Sequence, residues 1–71
     1  MNEAINIALN MDSEYVVHCC TMLCSIFENN KNNKFCIHII SEDLTDGVVC
    51  DIKELVEKEY HQELYFYILN S

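Results

Sequence analysis

The chain has 71 residues, of which 51% are hydrophobic and 23% charged, with one Gly and no Pro. That composition excludes an intrinsically disordered segment, which would be poor in apolar and β-branched residues, and no apolar run approaches the roughly 18 residues of a membrane span. The formal charge is −8, with 4 basic and 12 acidic side chains and no Arg, so no basic face exists to track a nucleic-acid backbone. The first residues carry Glu3 and no Lys or Arg, unlike a secretory leader. A chain this short needs near-ideal packing, cross-links, metal or partners to be stable.

In chain order, residues 4–9 alternate. Ile5, Ile7 and Leu9 share one face, and Ala4, Asn6 and Ala8 the other. Period 2 predicts a strand with a close neighbour. Residues 14–28 bring Val16, Val17, Cys20, Leu23, Cys24 and Phe27 to one face at helical spacing. Met22 and Ile26 widen the apolar surface, which predicts a helix buried on more than one side. Asp12 or Ser13 is placed to cap it. The run Asn29-Asn30-Lys31-Asn32-Asn33 ends it with polar turn residues.

Residues 35–40, Phe-Cys-Ile-His-Ile-Ile, predict a second strand, and residues 64–69, Leu-Tyr-Phe-Tyr-Ile-Leu, a third. Both read as buried on two sides. Between them, residues 46–60 form an amphipathic helix. Thr45 and Asp46 sit at its start. Val48, Val49, Ile52, Leu55 and Val56 make its buried stripe.

The order β-α-β-α-β with helical crossovers predicts three parallel strands in the order 3-2-1, both helices on one face. This is half of a doubly wound, Rossmann-like α/β sheet. No linker, internal repeat or low-complexity stretch divides it, so residues 1–71 form a single subdomain. One sheet face stays bare and the first strand is an open edge. The chain therefore reads as the beginning of a larger domain, a truncated one.

The cysteines Cys19, Cys20, Cys24, Cys36 and Cys50 are odd in number. No CxxC or HxxxH spacing marks a zinc site with His18, His38 and His61. They read as reduced, small hydrophobic side chains in a cytoplasmic protein, and the histidines as structural or solvated.

Ligands of open α/β sheets bind outside the carboxyl ends of the strands. After the first strand that place is held by Asn10-Met11-Asp12-Ser13-Glu14-Tyr15. Without glycine it is neither a dinucleotide turn nor a P-loop. An acidic loop suits a base or ribose better than a phosphate. Asp12 can accept from a nucleobase N–H, and Tyr15 can offer a stacking face. The plainer reading makes Asp12 an N-cap and Tyr15 a core-edge aromatic.

At these residues the chain resembles the N-terminus of the family 8 retaining glycosyltransferases, which include bacterial lipopolysaccharide galactosyl- and glucosyltransferases and glycogenins. The resemblance rests on Ile5-Asn6-Ile7-Ala8-Leu9-Asn10-Met11-Asp12-Ser13-Glu14-Tyr15, on Ser25-Ile26-Phe27-Glu28-Asn29-Asn30, and on Phe35 to Ile40 followed by Ser41-Glu42-Asp43-Leu44-Thr45. It implies a GT-A fold and a UDP-sugar donor. It assigns Asp12 to the uracil N–H and Tyr15 to the uracil face, with Asn10 and Met11 bordering the uridine through their backbone. Ser13 departs from the acidic residue frequent there and receives no role.

The family's Asp-x-Asp motif, which holds Mn²⁺ on the UDP phosphates, does not occur in these residues. No catalytic or metal-binding residue is assigned. The resemblance thus implies the nucleotide-sugar-binding part of a hexosyltransferase, inactive alone, with Mn²⁺ and UDP-sugar belonging to the full-length parent. The alternative is a stand-alone interaction module, a homo-oligomer or dimer joined through the bare face or edge. A receiver-like or flavodoxin-like domain fits less well, since the third strand runs into Asn70-Ser71 and no Ser/Thr/Gly-rich phosphate turn is present.

Overall fold

A computed structural model of the chain describes residues 3–69. Asn70 and Ser71, used above against a receiver fold, lie outside the described residues.

The elements follow the predicted order within a residue or two. Strand β1 is Ile5–Asn10, helix α1 Val16–Asn29 and strand β2 Phe35–Ser41. Helix α2 is Asp46–Lys53 and strand β3 Glu63–Ile68. A single 3-10 turn, Ser13–Tyr15, leads into α1. The three strands form one parallel sheet with β2 in the middle, as the 3-2-1 order requires. Register pairs Ile7 with Ile37 and Ile37 with Leu64.

Both helices cover the same face, as right-handed crossovers dictate. Leu23 and Phe27 of α1, and Ile52 and Val56 from the second helical segment, meet Phe35, Ile37, Ile39 and Leu64. Phe27 packs between Phe35 and Tyr60, with ring centroids 5.6 and 5.1 Å away.

Helix α1 is less wrapped than its composition predicts. Val17 is 76% exposed and Met22 44%. The packed stripe runs Val16, Cys19, Cys20, Leu23, Ile26 and Phe27, and Val17 falls beside it. A single three-stranded layer presents only one surface to the helix, so the flanking apolar side chains stay in water. The same geometry corrects the reading of the third strand. Leu64 is buried and Phe66 half-buried, but Tyr65 and Tyr67 on the opposite face are exposed.

That uncovered face is organised by His38. Its Nε2 lies 3.1 Å from Asn6 Oδ1 and its Nδ1 3.0 Å from the Tyr67 hydroxyl. The neutral tautomer protonated at Nε2 satisfies both contacts, donating to Asn6 and accepting from Tyr67. Tyr65 stacks on the same ring at 5.6 Å. His38 is thus a structural histidine, as expected from its place in a strand.

Local chemistry ends the elements. Asn30 Nδ2 donates to the Ile26 carbonyl at 2.8 Å, closing α1 where the Asn-rich run begins. The Thr45 hydroxyl accepts from Val48 N at 3.3 Å, the expected N-cap of α2. The predicted regular helix to residue 60 instead widens into a π-helical segment, Glu54–Glu59. It closes with His61 at φ 56, a left-handed conformation, and with Gln62 N–H donating to the Val56 carbonyl.

Gln62 also reaches back to β2. Its Oε1 accepts from the amide of Phe35 at 2.8 Å, and Phe35 is buried. Gln62→Ala leaves that amide without its partner and is expected to cost about 1–3 kcal/mol. Urea denaturation measures the loss, and amide exchange at Phe35 should accelerate. Gln62→Glu, which keeps an acceptor, should lose less.

All five cysteines are free. Burial pushes the thiols of Cys19, Cys20 and Cys36 up from their ordinary values. They stay protonated and pack as small apolar groups.

Candidate functional site

The carboxyl ends of the three strands converge on one edge of the sheet. Met11, just past β1, is fully buried, and its N–H donates to the Ile40 carbonyl at 3.0 Å. The side chain anchors the loop in the core, and Met11 lies beneath the strand-end cleft rather than on its lining. Leu69 N–H donates to the Ser41 carbonyl at 2.8 Å, so the end of β3 is tied to the end of β2.

Between these ends lies a cleft of about 350 Å³ lined by Asn10, Asp12, Ile40, Ser41, Glu42 and Leu69. Two carboxylates, Asp12 and Glu42, stand on it and no Lys does. The cleft therefore favours N–H and O–H donors and disfavours phosphate. Of the four residues assigned from sequence, Asn10 and Asp12 line it. Tyr15 stands outside the lining, 54% exposed, with its ring 6.3 Å from that of His18.

Asp12 occupies the cap position of the 3-10 turn, but its side chain makes no capping hydrogen bond. Its carbonyl accepts from Tyr15 N–H at 2.9 Å. The expected capping by Asp12 or Ser13 is thus corrected. The carboxylate that serves this turn comes from Asp43, 30 residues away. Asp43 Oδ1 accepts from Ser13 N–H at 3.1 Å and Oδ2 from the Ser13 hydroxyl at 2.9 Å. The buried Ser41 hydroxyl donates to Oδ1 at 3.3 Å and accepts from Asp43 N–H at 3.3 Å.

Sequence reasoning missed this link. Adjacent parallel strands place their carboxyl-end loops side by side, and a Ser in one facing an Asp in the other was the available signal.

The bonds from Ser13, side chain first and then backbone, hold the Asp43 carboxyl below its ordinary value, with Ser41 adding to them. A depressed carboxyl stabilises the fold above its unfolded value and loses that contribution as pH falls through the folded one. The Ser13 amide resonance is therefore expected to titrate with a midpoint below the ordinary Asp value of about 3.9. A midpoint at or above that value would contradict the clasp.

A second hollow, about 270 Å³, lies at the opposite end of the sheet among Phe27, Glu28, Lys31, Glu59, Tyr60 and Gln62. There the Tyr60 hydroxyl donates to Glu28 at 2.8 Å, and that carboxylate raises the Tyr60 pKa far above its usual value.

Among the described residues no group of three or more His, Cys, Asp or Glu is placed to hold a metal ion. Among the same residues no helix is long and apolar enough to cross a membrane.

No family model matches the chain, and no solved structure does. It is 33% identical over 69 residues to the lipopolysaccharide 1,2-glucosyltransferase of Escherichia coli. The likeness is to a glycosyltransferase. It covers 97% of this chain and 20% of that protein, so the chain spans about a fifth of its curated relative.

Proposed function

We propose that this chain forms the uridine-binding part of a glycosyltransferase that transfers a hexose from a UDP-sugar to an acceptor hydroxyl. The observation that carries the reading is Asp12. Its carboxylate makes no cap bond and lines the carboxyl-end cleft, in a chain similar along nearly its whole length to a lipopolysaccharide glucosyltransferase. In this reading Asp12 accepts the uracil N3–H. Asn10 borders the nucleoside from the end of β1, Met11 supports it from the core, and the Tyr15 ring turns onto the base.

The cleft holds carboxylates and no cation, so it recognises nucleoside rather than phosphate. The diphosphate contacts and the metal belong to parts of the parent enzyme other than these residues. Incubation of the chain with UDP-hexose and Mn²⁺ should release no UDP above background.

Equilibrium dialysis against nucleosides tests the base reading. Cytosine carries no proton at N3 and would set a lone pair against the Asp12 carboxylate. Uridine should bind at least about tenfold more tightly than cytidine, the worth of one charge-assisted hydrogen bond. UDP should bind no more tightly than uridine. Equal retention of uridine and cytidine would overturn the proposal.

A further inference from the structure

The clasp between Asp43 and Ser13 joins the loop after β2 to the loop that carries Asp12 and Tyr15. Both Asp43 oxygens are engaged, one by the Ser13 amide and one by the Ser13 hydroxyl. The hydroxyl of Ser41, itself on the cleft and buried, fixes the Asp43 carboxylate from beneath. Ser13 is the residue next to Asp12 and opens the 3-10 turn that ends at Tyr15. A shift of the Ser13 amide therefore moves the two side chains assigned to the base.

We infer that Asp43 is a positioning residue of the nucleoside pocket: it holds the Asp12–Tyr15 turn in the orientation that presents Asp12 to the base, without touching the base itself. This rests on the proposed uridine reading. The chemistry fits the task. A carboxylate accepting from a main-chain N–H and a hydroxyl of one residue fixes that residue's position and its rotation. The turn itself has no glycine, and its own Asp12 is not spent on capping. An outside acceptor thus frees Asp12 for a ligand. The helix end is satisfied by a side chain from another loop, which a cap serving stability alone would not require.

The test compares the full chain with Asp43→Asn and Ser13→Ala. Asp43→Asn keeps the shape but loses the charged acceptor. The expected result has two parts. The amide resonances of Ser13 to Tyr15 shift in both variants, while those of Ile37, Ile39 and Leu64 keep their positions. Uridine affinity falls about tenfold and the preference of uridine over cytidine narrows with it, because Asp12 is no longer held against the base. A merely structural role would instead shift the core resonances and leave the affinity of the folded fraction unchanged.

Unmoved Ser13 resonances in Asp43→Asn would overturn the clasp. An unchanged uridine affinity in both variants would overturn the positioning role. Failure of the unaltered chain to bind uridine would overturn the nucleoside reading, and with it the role of Asp43 toward the base, while the resonance shifts still reported on the clasp.

Discussion

Ile37→Ala is expected to destabilise the chain by about 2–5 kcal/mol, the largest effect of any single truncation proposed for this chain. Ile37 is completely buried at the centre of the middle strand, paired with Ile7 on one side and Leu64 on the other. It belongs to the cluster that receives Leu23 and Phe27 from α1 and Ile52 and Val56 from the second helical segment. Loss of three carbons there leaves a void that helices and sheet share.

For a 71-residue chain the whole stability is on the order of 4–10 kcal/mol, so the loss takes a large share of it. Urea denaturation followed by circular dichroism should show a strongly lowered midpoint or no folded baseline. Val17→Ala, at a position 76% exposed, should fall within about 0.5 kcal/mol of the parent. A similarly small change for Ile37→Ala would mean that the sheet and helices do not share one core.

Asp12→Asn is expected to abolish base discrimination while leaving stability nearly untouched. The carboxylate makes no capping bond, so its neutralisation should move the denaturation midpoint by less than about 0.5 kcal/mol. Uridine affinity should drop tenfold or more as the charged acceptor is lost, an effect of about 1.5–3 kcal/mol. Cytidine, whose N3 lone pair is repelled by the carboxylate and can accept from the Asn amide, should bind more tightly than before. Were Asp12 an N-cap after all, removal of its side chain in Asp12→Ala would cost about 1 kcal/mol of stability instead. The two variants together separate the ligand role from the cap role.

The fold was legible because period and crossover rules act locally. The alternation of residues 4–9, the helical stripe of residues 48–56 and the absence of hairpin turns lead to a parallel sheet with both helices on one face. Burial was less legible, since it depends on how many layers surround an element. Val17 and Tyr67 are apolar or aromatic, yet one three-stranded layer leaves them in water. The π-helical end of the second helix and the left-handed His61 have no periodic signature.

At the carboxyl end of the sheet, the position of Asn10 at the end of β1 and of Asp12 just after it followed from the strand pattern. The Asp43–Ser13 clasp was not, because its partners are 30 residues apart and meet only when the sheet forms. Register between strands, not propensity, creates that contact.

We propose that the carboxyl-end cleft of this sheet takes a uridine base on Asp12. A two-dimensional amide NMR titration of the full chain with uridine tests it most directly. Shifts should be confined to residues 10–15 and 40–43, saturate with added uridine, and need about tenfold more uridine or more in Asp12→Asn, while Phe27, Tyr60 and Gln62 at the opposite end stay in place. No shift at millimolar uridine, or shifts centred on the Phe27–Tyr60 end, would contradict the claim.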